Sequence, residues 1–499
     1  MTPTVLVRMA DAGDLFLTWR WTDDSAPAGV GVVPEEQVEA AMSRFAAALP
    51  APGVAGGLES ALTTGELATL ESEDALAQYL SSVFLPYNLA VRLHEHYVQG
   101  IRAHIRIQPS PRTAQLPWEL IAPDQDVRLL DIADVSVLAP TGIVHAPARI
   151  ARSWTETRGL PVVAVLDPRV PGFRADSALG SVLGRMDSAA APLAALVAGH
   201  AADGRLAPAV TDPVEAFRRT DLDRAWLSRA LHAGAARLLY VGHVTAAAPE
   251  SGRSESATLH LSCTAASPGC APAYRDHRPL SARDLLLGTH ALAADPSSGN
   301  IGDDLGYGPG IVGNRAGSDG EGAGTLGDGA GTTGDGAESV GDDSGSVGDG
   351  AVNAGDGARN VGRGEMGNDV GGARVPRTGP EIWPIPSRVA LIACESGGDL
   401  RFAEPLGLVA AMLTGGAELV TAGRWPLPTD LAFHRFAGIT ATVHPFQEAV
   451  CAIDSAHESP DPVAALNAWQ RTHLAAWRET GAIEHSPLIW AAFATVDTR

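Results

Sequence analysis

A chain of 499 residues, 45% hydrophobic, can build large cores, and a formal net charge of −22 argues against non-specific nucleic-acid binding. All 36 basic residues are arginines, which excludes a P-loop NTPase and the Schiff-base chemistries that need a lysine amine. Four cysteines without a Cys-x-x-Cys pair argue against a disulfide scaffold and a structural zinc site. With no secretory leader and no run of 18 apolar residues, no membrane span is expected, and the location expected is the reduced cytoplasm.

From the amino end, alternation over residues 5–21 predicts a strand hairpin, and residues 34–49 and 67–84 read as helices. Residues 101–107 and 129–138 alternate again. The stretch to about residue 155 is therefore mixed α and β. From Pro161 the rhythm changes. Residues 161–166 are a continuous apolar run, read as a buried strand ending at Asp167. A helix is expected over 178–198, a strand over 206–210, and a helix over 221–231 that stops at Gly234. Residues 237–243, Arg-Leu-Leu-Tyr-Val-Gly-His, and 388–394, Arg-Val-Ala-Leu-Ile-Ala-Cys, are two more buried-strand patterns. Strands alternating with helices in this way imply βαβ units and a largely parallel sheet.

Between those two runs, residues 296–378 carry Gly at every seventh position from Gly299 to Gly362, with Gly-Asp-Gly-Ala as the clearest unit. The seven-residue period departs from the nine-residue calcium-binding repeat. A tract this poor in apolar residues cannot offset its ordering entropy, and it reads as a disordered insertion. Beyond it a helix is expected over 405–413, a strand over 418–422, a helix opened by Asp461-Pro462 and stopped at Gly481, and a closing strand over 488–493.

His243 and Cys394 each end a buried strand, and chemistry in open α/β sheets gathers at such carboxyl ends. An imidazole beside a thiol can take its proton and return it to a leaving amine. Backbone N–H groups after the two residues, at Val244 and Glu395, are the candidates for an oxyanion hole. Cys263 and Cys270 are expected as unpaired surface or edge thiols, and Cys451 as core. His94 and His96 lack a third metal ligand, and His485 is a weak candidate to line the site. No cofactor or metal is expected.

Four ordered motifs, Leu116-Pro117-Trp118-Glu119-Leu120, Tyr240-Val241-Gly242-His243, Ala393-Cys394-Glu395-Ser396-Gly397 and Ile489-Trp490-Ala491-Ala492-Phe493, together resemble the CHAT domain, a caspase-like cysteine peptidase in the clan of caspases, separase and clostripain. The resemblance runs from about residue 60 to 495 outside the repeat. It implies a caspase-like, mostly parallel sheet flanked by helices, with His243 and Cys394 as a catalytic dyad. It also implies a protein substrate, with a basic residue preferred before the cut by several relatives, and a role in bacterial defence or cell death that would involve an upstream activator protein. Glu404, ahead of Pro405-Leu406-Gly407, and Asp430 match acids that bind that basic residue in separase-like members. Val244 stands where the family commonly has Gly, which keeps open the alternative of an inactive CHAT module acting as a signalling scaffold. The implied organisation is an N-terminal mixed α/β part (1–155), two halves of a caspase-like domain (156–295 and 379–499) and the insertion (296–378). If the enzyme prefers basic residues, Arg315, Arg359 and Arg363 are candidates for self-cleavage.

Overall fold

Five-residue apolar runs form the middle of one large sheet. In the computed structural model the strands are β1 (Thr4–Ala12), β2 (Asp14–Trp21), β3 (Gly29–Val33), β4 (Ala103–Gln108), β5 (Ala133–Leu138), β6 (Val162–Leu166), β7 (Leu206–Ala207), β8 (Arg237–Val241), β9 (Val244–Thr245), β10 (Thr258–Leu259), β11 (Leu280–Ser281), β12 (Arg388–Ile392), β13 (Leu419–Gly423) and β14 (Phe493–Asp497). Eleven of them join in the order β3-β2-β1-β4-β5-β14-β13-β12-β8-β6-β7, and β11-β10-β9 form a small second sheet. Pairing in the large sheet is parallel except at β1/β2, β2/β3 and β13/β14. The N-terminal strands are continuous with the rest through β5 beside β14. The structure describes residues 2–23, 26–51, 53–147, 149–186, 191–288 and 378–498. The repeat and its arginines fall outside them.

Every residue of β6, β8, β12, β13 and β14 is buried, because both faces of the sheet are covered. Successive side chains alternate between two cores. Val162, Ala164, Leu239, Val241, Ala390 and Ile392 enter one, with the helices Pro192–Ala202 and Pro445–Glu458. Val163, Val165, Leu238, Tyr240, Val389 and Leu391 enter the other, with the helices Arg224–His232 and Leu408–Thr414. The result is an α/β fold with a large, mostly parallel sheet between helical layers.

Four elements differ from expectation. Residues 129–132 are one helical turn ahead of β5, because the Asp131 carboxylate caps the Arg128 N–H at 2.7 Å. The helix expected at 178–198 is instead Pro192–Ala202, and residues 174–184 form a turn. The helix expected to open at Pro405 begins at Leu408. Residues 487–490 are a helical turn capped by Ser486, and the last strand starts only at Phe493. The helix opened by Asp461 is as expected, Pro462–Thr480, with Asp461 accepting from the Ala464 N–H at 3.1 Å.

On either side of residues 289–377 the chain returns to nearly one place. A Cβ on Gly379 would lie 2.1 Å from the Leu285 carbonyl oxygen, so the helical turn Gly379–Ile382 sits directly against the end of the helix Ala282–Leu287.

Candidate active site

The strand order places the site. Read from β7, the sheet runs β7-β6-β8-β12-β13, so the chain goes one way from β6 to β7 and then crosses to the other side for β8. In open α/β sheets such a reversal marks the edge, at the carboxyl ends of β6 and β8, where ligands bind. β8 and β12 pair in parallel with Val241 opposite Ile392. His243 and Cys394 each follow that matched pair by two residues, so the register brings them to the same edge on neighbouring strands.

The His243 Nε2 lies 3.1 Å from the Gly180 carbonyl oxygen, and donating to it leaves Nδ1 as the basic nitrogen. Burial pushes the imidazole below its ordinary value. The Gly180 carbonyl and the Asp167 carboxylate act the other way, and Arg218 adds to the lowering. A neutral ring at pH 7 is a proton acceptor.

Cys394 is half-buried, and its Sγ accepts from the Leu427 N–H at 3.4 Å. Burial raises the thiol above its usual value, the Leu427 N–H opposes this, and the Glu395 carboxylate adds to it. At rest the two groups are therefore a neutral thiol and a neutral imidazole. Among the described residues, no hydrogen bond joins them.

The turn after Cys394 is tightly tied. Glu395 takes a left-handed backbone, φ 48°, and its N–H donates to the Trp425 carbonyl at 3.3 Å. Its expected place in an oxyanion hole is thus taken by an internal bond in this conformation. Ser396 donates to the Leu391 carbonyl at 2.6 Å and accepts from the Gly423 N–H at 2.8 Å, which fastens the turn to β12 and β13. Val244 opens β9, and its side chain packs against the second core.

The two acids expected to bind substrate differ in setting. Glu404 is exposed, and its carbonyl, not its carboxylate, accepts from Ser254 at 2.7 Å. Asp430 is buried and accepts from the Phe446 N–H at 2.8 Å, fixing the start of the helix Pro445–Glu458, while Thr429 caps its own short turn. Asp399, a further acidic candidate in the sequence that reads there as a loop residue, is a buried acid near the site. Its Oδ2 accepts from the Ala410 N–H at 2.9 Å, and its Oδ1 has no partner. Burial pushes its carboxyl up to about 6. It lines a cavity of about 10 Å³, room for one water, together with Glu395, Ser396 and Ser254 and with Ala246 and Ala247 from the loop after His243.

No protein-family profile matches the chain, and no curated protein matches it. Two of the sequence motifs nevertheless meet in one contact. Glu119 and Arg424, both buried, pair at 2.9 Å, and Arg424 also donates to the Ala491 carbonyl at 2.8 Å. Residue 424 opens the loop that carries Trp425 and Leu427 to the Cys394 turn.

The remaining candidates lie elsewhere. Cys263 is buried in the core and not at the surface, and all four cysteines are free. Cys451 is partly buried against the first core. His96 packs on Trp21 while His94 is exposed, so the two do not face one ligand. His485 contacts His473 at 3.2 Å. Among the described residues no helix is long and apolar enough to cross a membrane.

Proposed function

We propose that this protein is a caspase-like cysteine endopeptidase of the CHAT kind that cleaves a protein partner in bacterial defence or cell-death signalling. The observation that carries the reading is the matched register of β8 and β12, with a base and a thiol at equivalent positions on one carboxyl edge beside the sheet's reversal point. In the reaction, His243 Nδ1 takes the Cys394 proton as the sulfur attacks the peptide carbonyl carbon. The imidazolium then protonates the leaving amine as the C–N bond breaks. Water, deprotonated by the same imidazole, hydrolyses the thioester and restores the thiol. The preference for a basic residue before the cut rests on the resemblance alone, since the cavity lined by Glu395 and Asp399 holds no more than a water.

The test is cleavage of a peptide panel by purified protein. Arg-containing peptides are expected to be cut, and Cys394→Ala and His243→Ala to reduce cutting to background. Equal cleavage by wild type and Cys394→Ala would overturn the reading. A second reading, an inactive CHAT module that signals by binding partners, is favoured by the internal bonds of the Glu395, Gly397 and Gly398 N–H groups. An electrophilic peptide probe that labels Cys394 separates the two.

A further inference from the structure

Asp167 directly follows β6, on the opposite side of the reversal point from the sheet's thiol strand. Its N–H donates to the Val241 carbonyl at 2.6 Å, which fixes it against the strand that carries His243. Its side chain is 1% exposed, and among the described residues it makes no hydrogen bond to the imidazole. The carboxylate grips the turn 174–184 instead. Oδ2 accepts from Ser181 Oγ at 2.5 Å and Oδ1 accepts from the Val182 N–H at 3.1 Å. The turn so held presents the Gly180 carbonyl to His243.

Arg218 closes the same arrangement. Its Nη1 lies 2.8 Å from the Gly180 carbonyl and 3.4 Å from Asp167 Oδ1. Gly180 fits because a Cβ there would lie 2.2 Å from the Ala175 carbonyl oxygen. Among the described residues four non-glycine residues have positive φ. Asp167 at 49° and Arg218 at 54° are two of them, and Glu395, beside the thiol, is a third. Such conformations cost on the order of 1–3 kcal/mol each and persist where the surroundings impose them, which happens most at functional sites.

We propose that Asp167 is a positioning residue for His243: by holding the turn 174–184 it fixes the Gly180 carbonyl, and through it the imidazole with Nε2 protonated and Nδ1 free to accept a proton. The proposal rests on the reading of His243 as the base. The carboxylate also supplies a negative charge near the imidazolium that forms during turnover.

The experiment is Asp167→Asn. Asparagine tolerates the left-handed backbone and keeps an oxygen for the Val182 N–H, but it removes the charge. Nitrogen NMR of the histidine side chains should find His243 in the Nε2–H form in wild type and a mixture of tautomers with a lower titration midpoint in the variant. With an active enzyme, kcat should fall between about 10- and 100-fold with KM within about twofold. The acidic limb of kcat/KM should move to lower pH. An unchanged tautomer and midpoint would overturn the proposal and leave the peptidase reading standing. The tautomer change in a protein that cleaves nothing would support the positioning and remove the peptidase reading. If Asp167→Asn does not fold, Ser181→Ala removes one of the two donors joining the carboxylate to the turn. A partial tautomer shift is then expected, and none would overturn the proposal.

Discussion

Glu119 and Arg424 carry a contact whose loss should reach the site. Arg424 lies 5% exposed between Glu119 and the Ala491 carbonyl, so removing the carboxylate leaves a guanidinium with too few acceptors and almost no water. Breaking a buried pair by removing one partner costs about 3–5 kcal/mol. Glu119→Ala should therefore lower stability by that amount in urea unfolding and weaken probe labelling of Cys394, since Leu427 sits three residues along the same loop. Labelling at the wild-type rate in a destabilised variant would separate the two effects. At this scale the sequence is most readable where a residue ends a pattern. His243 and Cys394 stand out because each closes an apolar run. Asp167 closes one too, yet its partners Ser181 and Val182 come from a turn that the local pattern reads as helix. Asp399 can be picked out as an acid, but its acceptor role depends on Ala410, 11 residues away and brought close only by the fold.

The helix Pro445–Glu458 is joined to the sheet through His457, whose Nε2 lies 2.8 Å from Thr421 Oγ1 on β13. Burial first, then Arg237 and Arg388, lower His457 to about 3. As pH falls below the ordinary histidine value of about 6.5, the unfolded chain takes up a proton that the folded chain refuses, so stability is lost. The loss continues until the pH nears the folded value. Between pH 7 and pH 5 the wild-type protein should lose about 2 kcal/mol relative to a His457→Gln variant, read by urea unfolding of both at each pH. A constant difference between the two proteins would refute this. Strands and helices differ in how far the chain reveals them. β6, β8, β12 and β13 are legible because burial on both faces leaves continuous apolar runs. The single helical turns at 129–132 and 487–490 are not, because side-chain caps decide them over apolar stretches that read equally well as strand.

Across the whole molecule, one sheet unites the N-terminal strands with those that carry His243 and Cys394, so the chain's two ends stabilise each other through β14 between β5 and β13. The sequence separates these regions by rhythm, and the long-range pairing of β5 with β14 has no local signature. The approach of Gly379 to the Leu285 carbonyl has a consequence for how this protein can vary. Because residues 288 and 378 are flanked by helical turns already in contact, the fold specifies where the intervening chain leaves and returns but sets no length for it. Closing a loop costs only about 0.6 kcal/mol more for each doubling of its length. Replacing residues 289–377 with a ten-residue Gly/Ser linker should therefore raise stability by about 1–2 kcal/mol and leave peptide cleavage unchanged. A drop in stability on unfolding would show that the replaced residues contribute contacts of their own. A seven-residue unit added or lost by replication slippage would alter the gene's length while keeping the same points of exit and return in the folded core.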